Sequence, residues 1–207
     1  MENNYFDNLA ASWDTNDIHS QRTKAISAGI AEKLKPGKTN GNAMEFGSGT
    51  GILSFALQQY FNEILLVDGS KEMVKVANEK IAKSNLVHLK SIQCNLEKEN
   101  IEQSGFDFIF TQMAMHHVGD IELVLKKFFT LMNSNAKIAI ADLYSEDGTF
   151  HDATFDGHYG FEPDAFVEKM KNAGFKNICY HECFVIPRIR EDKTVQNFPV
   201  FLLIAEK

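Results

Sequence analysis

A glycine-rich segment in the first quarter of the chain has the residue types and spacing of a ligand-binding turn. It reads Met44-Glu45-Phe46-Gly47-Ser48-Gly49-Thr50-Gly51, and an apolar run precedes it. Because glycine has no Cβ, a ligand can approach the backbone of such a turn closely. A helix that begins there also points free N–H groups and the positive end of its dipole at the ligand.

The spacing of the glycines separates two classes of nucleotide-type ligand. A dinucleotide-binding turn has its third glycine three residues after the second, and that position here is Ile52. A carboxylate at Glu45 would repel a pyrophosphate, whereas S-adenosylmethionine has no phosphate and carries an ammonium group that can lie near Glu45. The turn therefore favours S-adenosylmethionine, and the alternative interpretation is a tight turn of any α/β fold.

Asp68 is the second residue with a chemical signal. It ends the next apolar run, in Val67-Asp68-Gly69-Ser70, 21 residues after Gly47. A carboxylate at this distance can accept two hydrogen bonds from the vicinal hydroxyls of a ribose. The alternative is a cap on the following helix, for which Ser70 is at least as good a candidate. We expect Asp68 to bind the ribose.

The elements that position these residues alternate between strands and helices, which is typical of a parallel sheet covered by helices. The predicted strands are Ala43–Phe46, Ile64–Val67, Val87–Cys94, Phe106–Phe110, Lys137–Ala141, Asn177–Ile186 and Val200–Ala205. The predicted helices are Gly51–Tyr60, one through Met73–Ala77, Ile121–Met132 and Pro163–Ala173, with further helical sequence over Tyr5–Leu34. The last two strands are close enough to pair antiparallel.

The composition narrows the class of protein. The chain has 207 residues, 44% of them hydrophobic and 24% charged, as expected of one large globular domain. Its net charge of −7, without a basic block, argues against a nucleic-acid substrate. Three cysteines indicate a reducing compartment, and Met1–Asn8 lacks the pattern of a signal peptide. We therefore expect a cytoplasmic protein that does not insert into a membrane.

Taken together, these motifs resemble those of class I S-adenosylmethionine-dependent methyltransferases, in the broad small-molecule group that includes enzymes of quinone biosynthesis. The resemblance rests on the glycine turn, Val67–Ser70, Phe106–Ile109, Met115–Val118, Ala173–Phe175, and Phe6-Asp7 with Trp13-Asp14. It implies one Rossmann-like α/β domain over residues 1–207, with helices on both faces of a seven-stranded sheet in the order 3-2-1-4-5-7-6 and strand seven antiparallel. It also implies that residues 1–40 form a helical cover over the cofactor.

The resemblance extends the cofactor site beyond the turn and Asp68. It implies that Met73 packs on the adenine, although Met73 could equally be a core residue. Asn95 stands where the family usually has an acid, and its side-chain oxygen can still accept a hydrogen bond from the adenine amino group. The predicted cofactor-binding residues are Glu45, Phe46, Gly47, Ser48, Gly49, Gly51, Asp68, Gly69, Ser70, Met73, Asn95, Leu96 and Gln112.

The methyl acceptor is expected at the carboxyl end of strand four, where ligands of open α/β sheets bind. His117 is the first candidate for a general base, because imidazole can accept a proton near neutral pH. The alternative is that one of His116 and His117 caps the helix at Ile121 while the other packs inward. Some metal-dependent relatives have acids before an equivalent histidine, where this chain has Met113 and His116. We therefore expect no metal site.

Residues 142–162 form a stretch of about twenty residues without clear periodicity, and loops of this length often act as lids or binding loops. The stretch contains Phe150, His151, Phe155, His158, Tyr159 and Phe161. His151 and His158 are further catalytic candidates, in a pocket suited to an apolar, ring-like acceptor; the alternative is a surface insertion.

The expected function is methyl transfer from S-adenosylmethionine to an oxygen, carbon or nitrogen of a small molecule. The alternatives are a non-catalytic cofactor-binding protein and, less favoured, a nicotinamide-dependent oxidoreductase.

Overall fold

Seven strands form one sheet in the order β3-β2-β1-β4-β5-β7-β6, as seen in a computed structural model that describes residues 2–34, 40–152, 154–190 and 192–207. The strands are β1 (Asn42–Phe46), β2 (Glu63–Asp68), β3 (Leu89–Gln93), β4 (Phe106–Gln112), β5 (Met132–Leu143), β6 (Lys176–Ile189) and β7 (Val195–Glu206). β7 runs antiparallel to both β5 and β6, and every other neighbouring pair is parallel. The predicted fold and strand order are confirmed.

Six helices accompany the sheet among the described residues. They are α1 (Glu2–Leu9), α2 (Asp17–Ala31), α3 (Ile52–Leu57), α4 (Lys71–Lys83), α5 (Ile121–Leu131) and α6 (Pro163–Asn172). Two apolar clusters lie on opposite faces of the sheet, because a parallel sheet is covered on both sides. α5 and α6 bury Phe128 and Phe166 in one cluster, and α2 and α3 bury Ile26 and Leu53 in the other.

Several element boundaries differ from the sequence prediction. β3 begins at Leu89 rather than Val87, because the Val87 side chain is 89% exposed and belongs to the preceding turn. The helix predicted to Tyr60 ends at Leu57 and continues as a short 3₁₀ turn. β5, β6 and β7 extend beyond their predicted ends, because backbone pairing between β5 and β7 and between β6 and β7 continues past the apolar runs. In β6 only Ile186 is buried.

Two segments singled out in the sequence take forms that bear on function. The predicted lid, residues 142–162, begins on the last residues of β5, and beyond them it holds a bridge between Tyr144 and Phe161. The predicted cover, residues 1–40, is formed by α1, a 3₁₀ segment (Ala10–Thr15) and α2. Parts of both predictions, residues 1, 35–39 and 153, lie outside the described residues.

Within the described ranges, none of the helices combines the length and the apolar character that crossing a bilayer requires.

The N-terminus of α5 is fixed by Asp120. Its carboxylate Oδ1 accepts a hydrogen bond from the backbone N–H of Leu123 at 2.9 Å, which satisfies one of the free donors of the first turn. His116 and His117 lie earlier, in a short 3₁₀ turn (Met115–His117). The alternative in which a histidine caps this helix is therefore wrong.

Replacing Asp120 by Ala should lower the free energy of unfolding by about 1 kcal/mol, because the Leu123 N–H loses its acceptor. Asp120→Ser should retain most of the stability, since a serine hydroxyl can accept the same bond. Urea denaturation followed by circular dichroism measures both values. Equal losses in the two variants would mean that the cap is not what Asp120 contributes.

Candidate active site

A cavity of about 430 Å³ lies at the carboxyl ends of β1, β2 and β4, under the N-terminal cover. This volume falls within the range of ~300–1,000 Å³ usual for small-molecule sites. Eleven of the thirteen predicted cofactor-binding residues line it, namely Phe46, Gly47, Ser48, Gly49, Asp68, Gly69, Ser70, Met73, Asn95, Leu96 and Gln112. Residues distant in the sequence are thus brought together around one space.

The glycine turn adopts a backbone that only glycine accommodates easily. Gly47 and Gly51 have φ angles of +62° and +83°, in the left-handed region that other residues rarely occupy. A Cβ on Gly47 would lie 2.3 Å from the Cβ of Ala114, and one on Gly51 would lie 2.6 Å from Leu66. The turn can therefore pass close to the start of the segment after β4, which narrows the cavity at this point.

Asp68 connects the turn to the next helix. Its Oδ2 accepts a hydrogen bond from Gly49 N–H at 2.6 Å, and its Oδ1 accepts one from Ser70 N–H at 2.8 Å. Burial raises the pKa of Asp68, these two hydrogen bonds oppose that shift, and the nearby charge of Asp7 adds to it. Each carboxylate oxygen keeps a further lone pair, so Asp68 can accept additional hydrogen bonds from a ligand in the cavity.

Glu45 occupies a different place from the one expected. It is fully buried and does not line the cavity; its Oε2 accepts hydrogen bonds from the Ser54 N–H at 3.0 Å and from the Ser54 hydroxyl. Burial raises the pKa of Glu45 to about 8, and the hydrogen bonds from Ser54 oppose the shift. Glu45 thus holds the start of α3 rather than contacting a ligand. Gly51, at the N-cap of α3, also lies outside the lining.

The N-terminal segment is attached to the glycine turn and α4 by carboxylates. Asp7 accepts a hydrogen bond from the Ser70 hydroxyl at 2.5 Å. Asp14 accepts hydrogen bonds from the Thr50 hydroxyl and from Lys80 Nζ, each at 2.5 Å. These contacts hold the aromatic residues of the segment, among them Phe6 and Trp13, over the cavity.

Three histidines from two separate segments meet at the other end of the cavity. One ring nitrogen each from His116, His117 and His151, hereafter the imidazole cluster, lies within 4.8 Å of the others. The ring of His117 packs edge-on against Phe6 and Phe155, with centroids 5.0 and 5.3 Å away. His151 stacks on Phe155 at 3.7 Å. All three histidines line the cavity.

A buried carboxylate orients one member of the cluster. His116 Nδ1 lies 2.6 Å from Asp142 Oδ1, and both side chains are buried. Burial by itself would raise the pKa of Asp142, but attraction and hydrogen bonding from His116, with the Leu143 N–H, outweigh it and lower the pKa. With Nδ1 bonded to the carboxylate, Nε2 is the nitrogen of His116 left for other chemistry.

His151 has the electrostatics of a neutral imidazole. Burial, together with repulsion from His116, His117 and Arg188, lowers its pKa to about 3, and attraction to Asp142 opposes the shift. Its Nε2 is buried and makes no hydrogen bond within the described structure. His151 is therefore a poor proton acceptor at neutral pH and a better candidate for a polar contact to a ligand.

His158 is separated from the cluster. It does not line the cavity. Its ring Nε2 lies 2.9 Å from the carbonyl oxygen of Val118, and its backbone N–H donates a hydrogen bond to the backbone carbonyl of His116 at 2.8 Å. These bonds attach the segment after β5 to the segment after β4. The geometry supports a structural role for His158, in contrast to the catalytic role expected.

The sequence prediction overlooked Arg22, Asp142 and the orientation of His116. Asp142 carries a signal that could have been used, since it follows the buried run of β5 and acids at the carboxyl ends of strands often reach the site. Arg22 lies four and eight residues before the buried Ile26 and Ile30, on the apolar face of α2. A charge at such a position is unusual enough to mark a functional candidate.

The imidazole cluster also has the composition of a metal site. Neutral imidazole is a common ligand of Zn²⁺, and three histidines with one open position form some catalytic zinc sites. Zn–N bonds of about 2.0–2.1 Å would require the three rings to move closer together than they are here. The expectation that the protein needs no metal remains a prediction.

Comparison with known proteins assigns the family. A family model described as a methyltransferase domain matches residues 38–193, so the chain belongs to the methyltransferase-domain family, as the sequence predicted. A relative named as an uncharacterised methyltransferase of Schizosaccharomyces pombe is 30% identical over 156 residues, which are 68% of this chain. The match spans 55% of that relative's length.

Solved structures share the fold. The YcgJ protein of Bacillus subtilis has a TM-score of 0.70 at 15% identity, over 87% of this chain and 97% of its own. Phosphoethanolamine N-methyltransferase 2 of Haemonchus contortus, solved in complex with S-adenosyl-L-methionine, also has a TM-score of 0.70. It is 17% identical, over 87% of this chain and 52% of its own. At these identities the likeness concerns the fold alone.

The raised pKa of Glu45 predicts a specific pH dependence of stability. Between its ordinary value of 4.5 and about 8, the carboxyl ionises in the unfolded chain but stays protonated in the folded one. The free energy of unfolding should therefore fall as pH rises through this window, by up to about 1.4 kcal/mol per pH unit. Glu45→Gln, which cannot ionise, should remove this contribution.

Thermal unfolding from pH 5 to 8 measures the difference between wild type and Glu45→Gln. The variant should gain relative stability steadily as the pH increases, whereas the exposed Glu63→Gln should follow the wild type. A difference that stays constant over this range would show that Glu45 is ionised in the folded protein.

Proposed function

We propose that the protein transfers the methyl group of S-adenosylmethionine to a small-molecule acceptor. The observation that carries the proposal is the common cavity, because eleven residues predicted to bind the cofactor, from their spacing or from the family resemblance, line the same space as the imidazole cluster. In this proposal the ribose is bound by Asp68 and the adenine lies near Met73, Asn95 and Leu96. The methionine part extends past Gly47 and Gly49 toward the histidines.

The proposed reaction requires the protein mainly to position the acceptor and the methyl group, and to supply one general base. The acceptor atom forms a bond to the methyl carbon while the carbon–sulfur bond breaks. The electron pair of the broken bond goes to sulfur, which gives S-adenosylhomocysteine. The sulfonium is already a good leaving group, so alignment of acceptor and methyl supplies much of the acceleration. An acceptor hydroxyl or amine also has to lose a proton.

We propose that His116 accepts this proton and that Asp142 supports it as the base. A carboxylate bonded to Nδ1 fixes the imidazole tautomer and stabilises the imidazolium that forms when Nε2 takes a proton. His117, the base expected from the sequence, lies beside it between two aromatic rings and in this proposal contacts the acceptor. The aromatic walls around the cluster suit an apolar, ring-like acceptor.

Two other functions lead to different ligand profiles. A non-catalytic sensor would bind S-adenosylmethionine without converting it, and a nicotinamide-dependent oxidoreductase would be stabilised by NAD instead. The experiment is a thermal-shift comparison of S-adenosylmethionine, S-adenosylhomocysteine and NAD, followed by a screen of small acceptors with a labelled methyl donor. Stabilisation by NAD alone would overturn the proposal, and cofactor binding with no labelled product across the screen would favour the sensor.

Asp68→Ala should weaken the binding of S-adenosylhomocysteine about tenfold or more. Hydrogen bonds to a charged acceptor contribute roughly 1.5–3 kcal/mol each, and about 1.4 kcal/mol corresponds to tenfold in affinity. Isothermal titration calorimetry measures the change, with the exposed Asp156→Ala as the matched control. Unaltered affinity in a folded Asp68→Ala variant would refute the assignment to the ribose.

Substitutions in the cluster distinguish the two candidate bases. With the acceptor found in the screen, Asp142→Asn should lower kcat by roughly 10²–10⁴-fold, because the amide no longer stabilises a protonated His116. His117→Ala should act mainly on KM, and the exposed His181→Ala should change neither constant. The opposite pattern, with kcat lost only in His117→Ala, would restore His117 as the base.

A further inference from the structure

Arg22 is a buried cation without a hydrogen-bonded partner. The residue is only 6% exposed, yet it lines the cavity. Within the described part of the chain its guanidinium makes no hydrogen bond, and its Nε is fully enclosed. A buried guanidinium left unpaired is costly, so the arrangement calls for an acceptor supplied from the cavity.

Asp142, the carboxylate that interacts with Arg22, already accepts hydrogen bonds from other groups. Asp142 lies close enough to interact with Arg22 electrostatically, but its oxygens accept hydrogen bonds from His116 and from the Leu143 N–H. Asp142 therefore offsets part of the charge of Arg22 without occupying its donors. The next residue, Thr23, donates a hydrogen bond at 3.0 Å to the side chain of Gln112 at the end of β4, which places this part of α2 near the turn that carries His116.

A second arginine lies at the rim of the same end. The guanidinium of Arg188 stacks 4.0 Å from the Phe150 ring centre, donates to the Phe150 carbonyl oxygen, and interacts electrostatically with His151. Acidic residues that line the cavity, Asp68 and Glu97, belong to its other end. In a chain with a net charge of −7, this end of the cavity concentrates positive and proton-accepting groups.

We propose that Arg22 binds a carboxylate carried by the methyl acceptor. The proposal rests on the methyl-transfer function and names its substrate class: a small, ring-bearing molecule with an anionic carboxylate. The planar fork of a guanidinium matches the two oxygens of a carboxylate, while Phe150 and Phe6, which packs against His117, supply an apolar wall. The carboxylate would then fix the acceptor beside His116 with its nucleophilic atom free.

The carboxylate of S-adenosylmethionine is the other possible source of the same chemistry. In the proposed orientation that carboxylate lies beside the backbone of Gly47 and Gly49, which line the cavity. Arg22, by contrast, interacts electrostatically with Asp142, which is hydrogen-bonded to the histidine that would take the acceptor proton. The position of Arg22 favours the acceptor, and binding measurements can separate the two sources.

The experiment uses benzoate and benzamide as matched probes on the full chain saturated with S-adenosylhomocysteine. Calorimetry should detect benzoate binding and at least about tenfold weaker binding of benzamide, which has the same shape without the charge. Arg22→Gln should reduce benzoate affinity by about tenfold or more and leave S-adenosylhomocysteine affinity unchanged. The exposed Arg190→Gln is the matched control and should retain both affinities.

The outcomes separate this proposal from the one before it. Loss of S-adenosylhomocysteine affinity in Arg22→Gln, with 5′-methylthioadenosine affinity retained, would assign Arg22 to the cofactor carboxylate and overturn the proposal. Equal binding of benzoate and benzamide to the wild type, or binding of neither, would overturn it without any variant. Failure of the wild type to bind S-adenosylhomocysteine would contradict the methyl-transfer function instead. Arg22→Lys, which keeps the charge but not the fork, should bind benzoate at an intermediate affinity and serves if Arg22→Gln does not fold.

Discussion

The hydrogen bonds of the Asp68 carboxylate are the interaction on which the architecture of the site depends. One oxygen holds Gly49 in the turn after β1, and the other holds Ser70 at the start of α4. The same two segments then receive the N-terminal cover, through Asp7 on Ser70 and Asp14 on Thr50. One carboxylate at the end of β2 thus sets the relative position of two helix starts, and through them the position of the cover.

Two buried acids beneath this arrangement, Glu45 and Asp142, differ in which protonation state their surroundings favour. Glu45 is enclosed under α3, where burial favours its neutral form. Asp142 is equally buried but has a lowered pKa, because its interactions with His116 and the hydrogen bond from the Leu143 N–H outweigh burial. The contrast follows from partners rather than from depth, since a buried acid remains ionised only when a donor or cation compensates for lost hydration. The buried acid that stays ionised is therefore the one hydrogen-bonded to His116.

The sequence predicted those features that depend on short-range spacing. The distance from Gly47 to Asp68 reflects one strand–helix–strand unit, so it indicates both the parallel topology and the side chains that meet at its edge. Glu45 illustrates the limit: its proximity to the turn was correct, but whether its side chain faced the ligand or the underside of α3 depended on Ser54. Arg22 and His158 could not be placed by spacing, because their surroundings come from β5 and the segment after β4.

The two halves of the cavity are built in different ways, and this has a consequence for specificity. The half assigned to the cofactor comes largely from consecutive elements, β1 to β3, whose turns are tied by backbone hydrogen bonds. The half assigned to the acceptor draws Arg22 from α2, His116 from the turn after β4, Asp142 from β5 and His151 from the following loop. Loops tolerate substitution better than the elements that they connect. A change of acceptor could therefore arise through the loop after β5 while the bonds of Asp68, and with them the cofactor half, stay as they are.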